Sequence, residues 1–121
     1  MSIQKKRKII STENDLIYKN KIRLLLWTED ENGDEIPNAE EEYIFIPTED
    51  FDFVINDYKS VFPLINPWTE MVENQFDACG NNYFNQENMK IIIQKLKSQL
   101  FESDKVENFK IELLNWLKKN L

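Results

Sequence analysis

Between Lys21 and Thr28 the chain reads KIRLLLWT, and from Asn85 onward its apolar residues recur at steps of three and four. This change of period, from two to about 3.6, limits the fold more than any other feature, because one pattern suits a pleated strand and the other a helix face. In the first segment Ile22, Leu24 and Leu26 share one face, while Leu25 and Trp27 share the other. Apolar residues on both faces predict a central strand. Asn32-Gly33 is the preferred pair for a two-residue type I′ turn, and Glu41–Ile46 follows as the returning strand, closed by Pro47. Asp15–Lys19 is a shorter candidate strand. Ile9-Ile10 fits either a further strand or the end of a frayed basic arm over residues 1–8.

The second half predicts helices. Thr48 is placed to N-cap one whose first turn holds Glu49, Asp50 and Asp52, and whose apolar face is Phe51, Val54, Ile55, Tyr58 and Phe62. Asn66-Pro67 opens a short helix with Trp68, Met71, Val72 and Phe76 on its face. Residues 78–82 form a turn. Asn85 caps a long helix with Met89, Ile92, Ile93, Leu96 and Leu100 inward. Asp104 and Glu107 have capping-box spacing before a last helix that buries Val106, Phe109, Leu113, Trp116 and Leu117. Strands followed by helices predict an α+β fold: a small N-terminal antiparallel sheet of two to four strands, packed against three or four C-terminal helices. At 121 residues the chain is read as a single domain.

Charge is distributed very unevenly. Residues 1–27 carry +5, residues 28–77 carry −14 with Lys59 as their one base, and residues 78–121 carry +2. Eight carboxylates crowd into Trp27–Tyr43: Glu29, Asp30, Glu31, Asp34, Glu35, Glu40, Glu41 and Glu42. With Asn32-Gly33 as the turn, Glu31 would face Asp34 and Asp30 would face Glu35, each like-charge pair costing roughly 0.2–1 kcal/mol. Pro37 breaks the ladder as well, so regular pairing is expected nearer Trp27 and Glu40, with a mobile acidic loop beyond.

Several chemistries are excluded. There is no histidine, which removes the commonest general base and zinc ligand and every Ser-His or Cys-His arrangement. Cys79 is the only cysteine, so it forms no internal disulfide, and it is read as a small buried turn residue. The two glycines match no phosphate-cradling motif. An EF-hand reading with Gly33 at loop position 6 puts Thr28 and Ala39 where the strongest calcium ligands belong. No cofactor or metal is expected. The acidic centre disfavours nucleic acid as a ligand despite the Lys5–Lys8 cluster. No apolar run approaches the roughly 20 residues of a membrane span, and no signal-peptide core follows the basic start, so a cytoplasmic location and no membrane partner are expected.

The stretch NPWTEMVENQFDACGNNYFNQENMKIIIQKLK, Asn66 to Lys97, resembles a segment of small cytoplasmic immunity proteins of bacterial toxin–immunity systems. There a Trp-containing segment leads through a turn to an amphipathic helix. The resemblance covers roughly a quarter of the chain and transfers no binding residues. It implies a stoichiometric, non-enzymatic inhibitor of a cognate toxin, many such toxins being nucleases with basic clefts. The residues themselves point the same way: carboxylates steer a basic protein partner, and desolvated aromatic anchors supply affinity. The expected partner-binding set is the eight loop carboxylates with Tyr43, Trp68, Glu70, Glu73, Asp77 and Tyr83. A nucleic-acid mimic blocking a DNA-binding protein, a small carboxylate enzyme and an assembly subunit are the alternatives.

Overall fold

The computed structural model describes residues 8–14, 20–29, 35–37 and 42–121. In chain order these form β1 (Lys8–Glu13), β2 (Lys21–Glu29), β3 (Glu35–Pro37), β4 (Tyr43–Pro47), α1 (Thr48–Phe51), α2 (Ile55–Lys59), β5 (Leu64–Ile65), β6 (Val72–Glu73), β7 (Asn81–Asn85), α3 (Gln86–Ser98) and α4 (Asp104–Asn120). The fold is α+β. An N-terminal antiparallel sheet is followed by C-terminal helices, and β7 joins that sheet from the second half of the chain. β2 pairs with β1 on one side and with both β3 and β4 on the other, while β7 pairs with the far side of β1.

The register explains the core. Ile10 is opposite both Leu26 and Phe84, Leu24 is opposite Ile44, and Ile22 is opposite Ile46. These side chains share one face and pack against Phe51, Val54, Tyr58, Met89, Ile92, Leu96, Leu113 and Leu117. Each fully buried aliphatic or aromatic side chain contributes about 1.5–3 kcal/mol. The opposite face is also covered at its centre, where Ile9 and Leu25 are buried. β2 is therefore central and apolar on both faces, as its alternation predicts.

The structure departs from the sequence-based expectations at several points. Lys8, assigned to the basic arm, begins β1, and β1 is a central strand that buries Ile9 and Ile10 on opposite faces. β7 falls where a turn leading to the Asn85 cap was expected. Asn is depleted in strands, and NNYFN hides its alternation. Phe84 packs into the core, while buried Asn82 Nδ2 donates to Thr12 Oγ1 and the Asp77 carbonyl. In the β2–β3 ladder Glu29 is opposite Glu35 and Trp27 is opposite Pro37. Pairing thus runs through Pro37, where a break in the ladder was expected. Residues 1–7, the candidate strand Asp15–Lys19 and the Asn32-Gly33 turn itself lie outside the described residues.

The helix expected from Thr48 is divided into α1 and α2. Thr48 is its first residue and makes no side-chain cap. The helix expected after Asn66 is absent. Instead β5 and β6 form a small hairpin with Ile65 opposite Val72. Asn66 Oδ1 accepts from the N–H groups of Trp68 and Thr69, and the Asn66 N–H donates to the Met71 carbonyl. These two side-chain bonds are those of a helix N-cap, and the Glu70 N–H donates to the Asn66 carbonyl to close a single turn. Glu70 holds a φ of 62°, which no helix accepts, and Met71 and Val72 are left exposed.

The last two helices are as expected in kind. Asn85 and Asn88 form a reciprocal capping box on α3. α3 stops at Ser98, so Leu100 is 89% exposed and not inward. Ser103, not Asp104, precedes α4, and Glu107 Oε1 accepts from the Phe101 N–H. Val106, Leu113 and Leu117 are buried, while Phe109 and Trp116 remain half-buried. Lys110 is buried too, its Nζ bonded to Glu107 and to the Gln99 carbonyl. That contact ties the end of α3 to α4.

Candidate partner-binding surfaces

Around Ser11 the outer face of the sheet brings together Trp27, Trp68 and Tyr83. Ser11 is opposite Leu25 on one side and Tyr83 on the other. Its small side chain leaves room above β1, and its Oγ accepts from Trp27 Nε1 at 2.9 Å. Trp68, at the tip of the β5–β6 hairpin, fills that room. Its ring lies edge-on to Trp27, with centroids 5.1 Å apart, and tilted over Tyr83 at 4.4 Å. One tryptophan thus bridges β2 and β7 across β1. Trp68 Nε1 is buried without a hydrogen-bond partner among the described residues. The structure therefore brings Trp68 and Tyr83 together and adds Trp27, which the sequence reading had placed only as a strand residue.

Glu73, Asp77 and Tyr83 meet at a polar cleft of about 190 Å³, shared with Asn66, Asn81 and Asn82. Glu73 Oε1 lies 3.5 Å from Asn66 Nδ2. Asp77 is occupied by its own turn: Oδ1 accepts from the Cys79 N–H, and its N–H donates to Asn82 Oδ1. A Cβ at position 80 would lie 2.3 Å from Asp77 Oδ2, so a larger residue there would displace the Asp77 carboxylate. Cys79 in the same turn is exposed, not buried, because the loop backbone is held by Asn14, Asp77 and Asn82 and not by packing. Glu70 is exposed on the hairpin.

Of the other expected residues, Tyr43 lies on the same outer face, opposite Leu25 of β2. Glu42 Oε1 is 3.8 Å from Lys119 Nζ, and its carbonyl accepts from the Leu26 N–H. Tyr43 stands edge-on to Phe45, with centroids 5.3 Å apart, and these rings are 39% and 43% exposed. Glu29 and Glu35 are direct cross-strand partners. Asp30, Glu31, Asp34, Glu40 and Glu41 lie outside the described residues. Asp57, part of the acidic surplus, is buried and receives the Gln99 side-chain amide. Burial holds its carboxyl above the usual range, opposed by that hydrogen bond and by Lys95.

A second surface was not foreseen. A groove of about 810 Å³ opens between β4 and α4. Ile44, Phe45, Phe109 and Trp116 form its apolar walls, and Asp50, Lys105 and Glu112 stand on it as charged groups. No sequence signal marked it: Phe109, Leu113, Trp116 and Leu117 fall within one ordinary core-facing stripe of α4.

Among the described residues, no group of three or more Asp, Glu or Cys is placed to hold a metal ion, and no helix is long and apolar enough to cross a membrane. Comparison of the chain with family models, curated proteins and solved structures returned no match.

Proposed function

We propose that the chain is a non-enzymatic immunity protein that binds and neutralises a cognate toxin domain with a basic, nuclease-type cleft. The observation that carries this reading is a run of uncompensated carboxylates. Glu49, Asp50, Asp52, Glu70, Glu73 and Asp77 all reach solvent, none makes an ion pair among the described residues, and Lys59 is the only base between residues 42 and 77. A surface kept only for solubility intersperses both signs. A one-sided surface costs self-repulsion in the fold and is useful where a cationic partner removes that repulsion.

In this mechanism the carboxylates raise the encounter rate and exclude wrong partners. They meet the Lys and Arg side chains that would otherwise hold phosphate. Affinity comes from aromatic side chains that lose water on docking. Tyr43 and Phe45 keep 39% and 43% of their surface for this purpose, whereas Trp68 and Tyr83 already spend much of theirs on each other. The test is co-expression with the protein encoded by the adjacent gene, followed by calorimetric titration of the purified pair. Growth rescue with one-to-one binding supports the reading. Absence of a complex, or capture of a DNA-binding host protein in its place, contradicts it.

A further inference from the structure

We propose that the groove between β4 and α4 is the anchor site for the partner, and that its occupant is a protein segment with a large apolar side chain flanked by lysine or arginine. The proposal rests on the reading above that the chain binds a basic protein. At about 810 Å³ the groove falls within the roughly 300–1,000 Å³ of pockets that seat compact ligands. Its walls explain the apolar part of the occupant. Phe45, 43% exposed, and the half-buried Phe109 and Trp116 line it.

Charge selects the rest. Asp50 and Glu112 stand on the groove against Lys105. Beyond Pro47, a neighbouring cleft adds Glu49 and Asp52 against Lys21. Carboxylates outnumber bases along the whole line, so a basic segment is attracted and an acidic one repelled. A second copy of the chain is a poor occupant, because it would bring a like-charged rim against this one.

The experiment uses the full-length chain, labelled with nitrogen-15, and three capped pentapeptides followed by amide chemical shifts. The peptides are Lys-Phe-Lys-Leu-Lys, Glu-Phe-Glu-Leu-Glu and Lys-Gly-Lys-Gly-Lys. The first is expected to shift Phe45, Ile46, Glu112 and Trp116, with the other two binding at least about fivefold more weakly. In the Asp50→Lys, Glu112→Lys double variant, two reversed rim charges should weaken the first peptide by about tenfold. Neither side chain is buried, and an unchanged amide spectrum elsewhere certifies the fold.

Equal binding of the glycine peptide, shifts confined to other surfaces, or no binding up to millimolar peptide would overturn the proposal. So would a dimer in sedimentation that the double variant dissociates. The two readings fail separately. If the variant binds the toxin as tightly as the parent chain does, the groove is wrong and the immunity reading stands. If the parent chain binds no basic toxin yet seats the first peptide, the immunity reading is wrong and the groove stands.

Discussion

Replacing Tyr58 by phenylalanine removes a single oxygen from the centre of the core. Tyr58 is fully buried and its hydroxyl has no hydrogen-bond partner among the described residues. The ring lies against Phe51 at 5.1 Å and edge-on to Phe84 at 5.5 Å, and phenylalanine keeps both contacts. A buried hydroxyl without a partner costs about 1–3 kcal/mol. The space left by one oxygen, on the order of 10 Å³, returns only about 0.2 kcal/mol as a cavity term. Tyr58→Phe should therefore stabilise the chain by about 1–2 kcal/mol. With an unfolding entropy near 2.1 cal/mol/K per residue, each kcal/mol is worth about 4 °C for a chain of this length. The assay is urea and thermal unfolding followed by circular dichroism at pH 7, with the denaturant slope unchanged.

The pH dependence checks the same argument. Burial, and then the nearby Asp57 charge, hold the Tyr58 phenol well above its usual value near 10. The unfolded state releases that proton first, so stability falls as pH climbs past about 10. Tyr58→Phe should flatten this alkaline loss. A variant less stable than the parent by 1 kcal/mol or more would refute the reasoning, since it would mean that the hydroxyl is bonded in solution.

The remaining predictions concern other buried or strained polar groups. Asp57 has a raised carboxyl, so the fold favours its protonated form; that contribution is present below the unfolded value of about 3.8 and is lost as pH rises through the folded value. Asp57→Asn should raise the urea midpoint at pH 7 and remove this slope, and a lower midpoint would show that the bond to Gln99 and the Lys95 charge outweigh desolvation. Gly80→Ala should destabilise by about 0.5–1.5 kcal/mol by forcing the Asp77 carboxylate off the Cys79 N–H. Adding Asp77→Ala should recover part of that loss in a double-mutant cycle. Asn85→Ala should cost about 1 kcal/mol through the α3 cap, and Asn85→Asp should restore most of it in denaturant titrations.

Much of the architecture was legible because periodicity reports burial. Ile22, Leu24 and Leu26 marked the core face of β2, and Met89, Ile92 and Leu96 marked that of α3. Two of the failures turn on asparagines. Asn66 caps a single turn, as Pro67 and Trp68 suggest, but Glu70 at φ 62° ends it and the Asn66 N–H closes a hairpin onto the Met71 carbonyl. Asn82 enters a strand because Thr12 and the Asp77 carbonyl satisfy it, a contact 70 residues away in sequence that no local pattern displays. The candidate site was legible in type more than in arrangement. The acidic surplus is plain in the sequence. That Asp57 is buried, that Asp77 serves its turn, and that Trp68 spans three strands to meet Trp27 depend on the tertiary fold.

Those uncompensated carboxylates are held to exist for a cationic protein partner, and salt reads that directly. The dissociation constant of the complex with the adjacent-gene protein should be measured from about 50 to 500 mM sodium chloride, where screening shortens from over 10 Å to a few ångströms. The chain is compared with a variant carrying Glu49→Lys, Asp52→Lys and Glu70→Lys. The account predicts a steep loss of affinity with salt in the parent, carried mainly by the association rate, and a much shallower dependence in the variant. An affinity indifferent to salt in both proteins would contradict it.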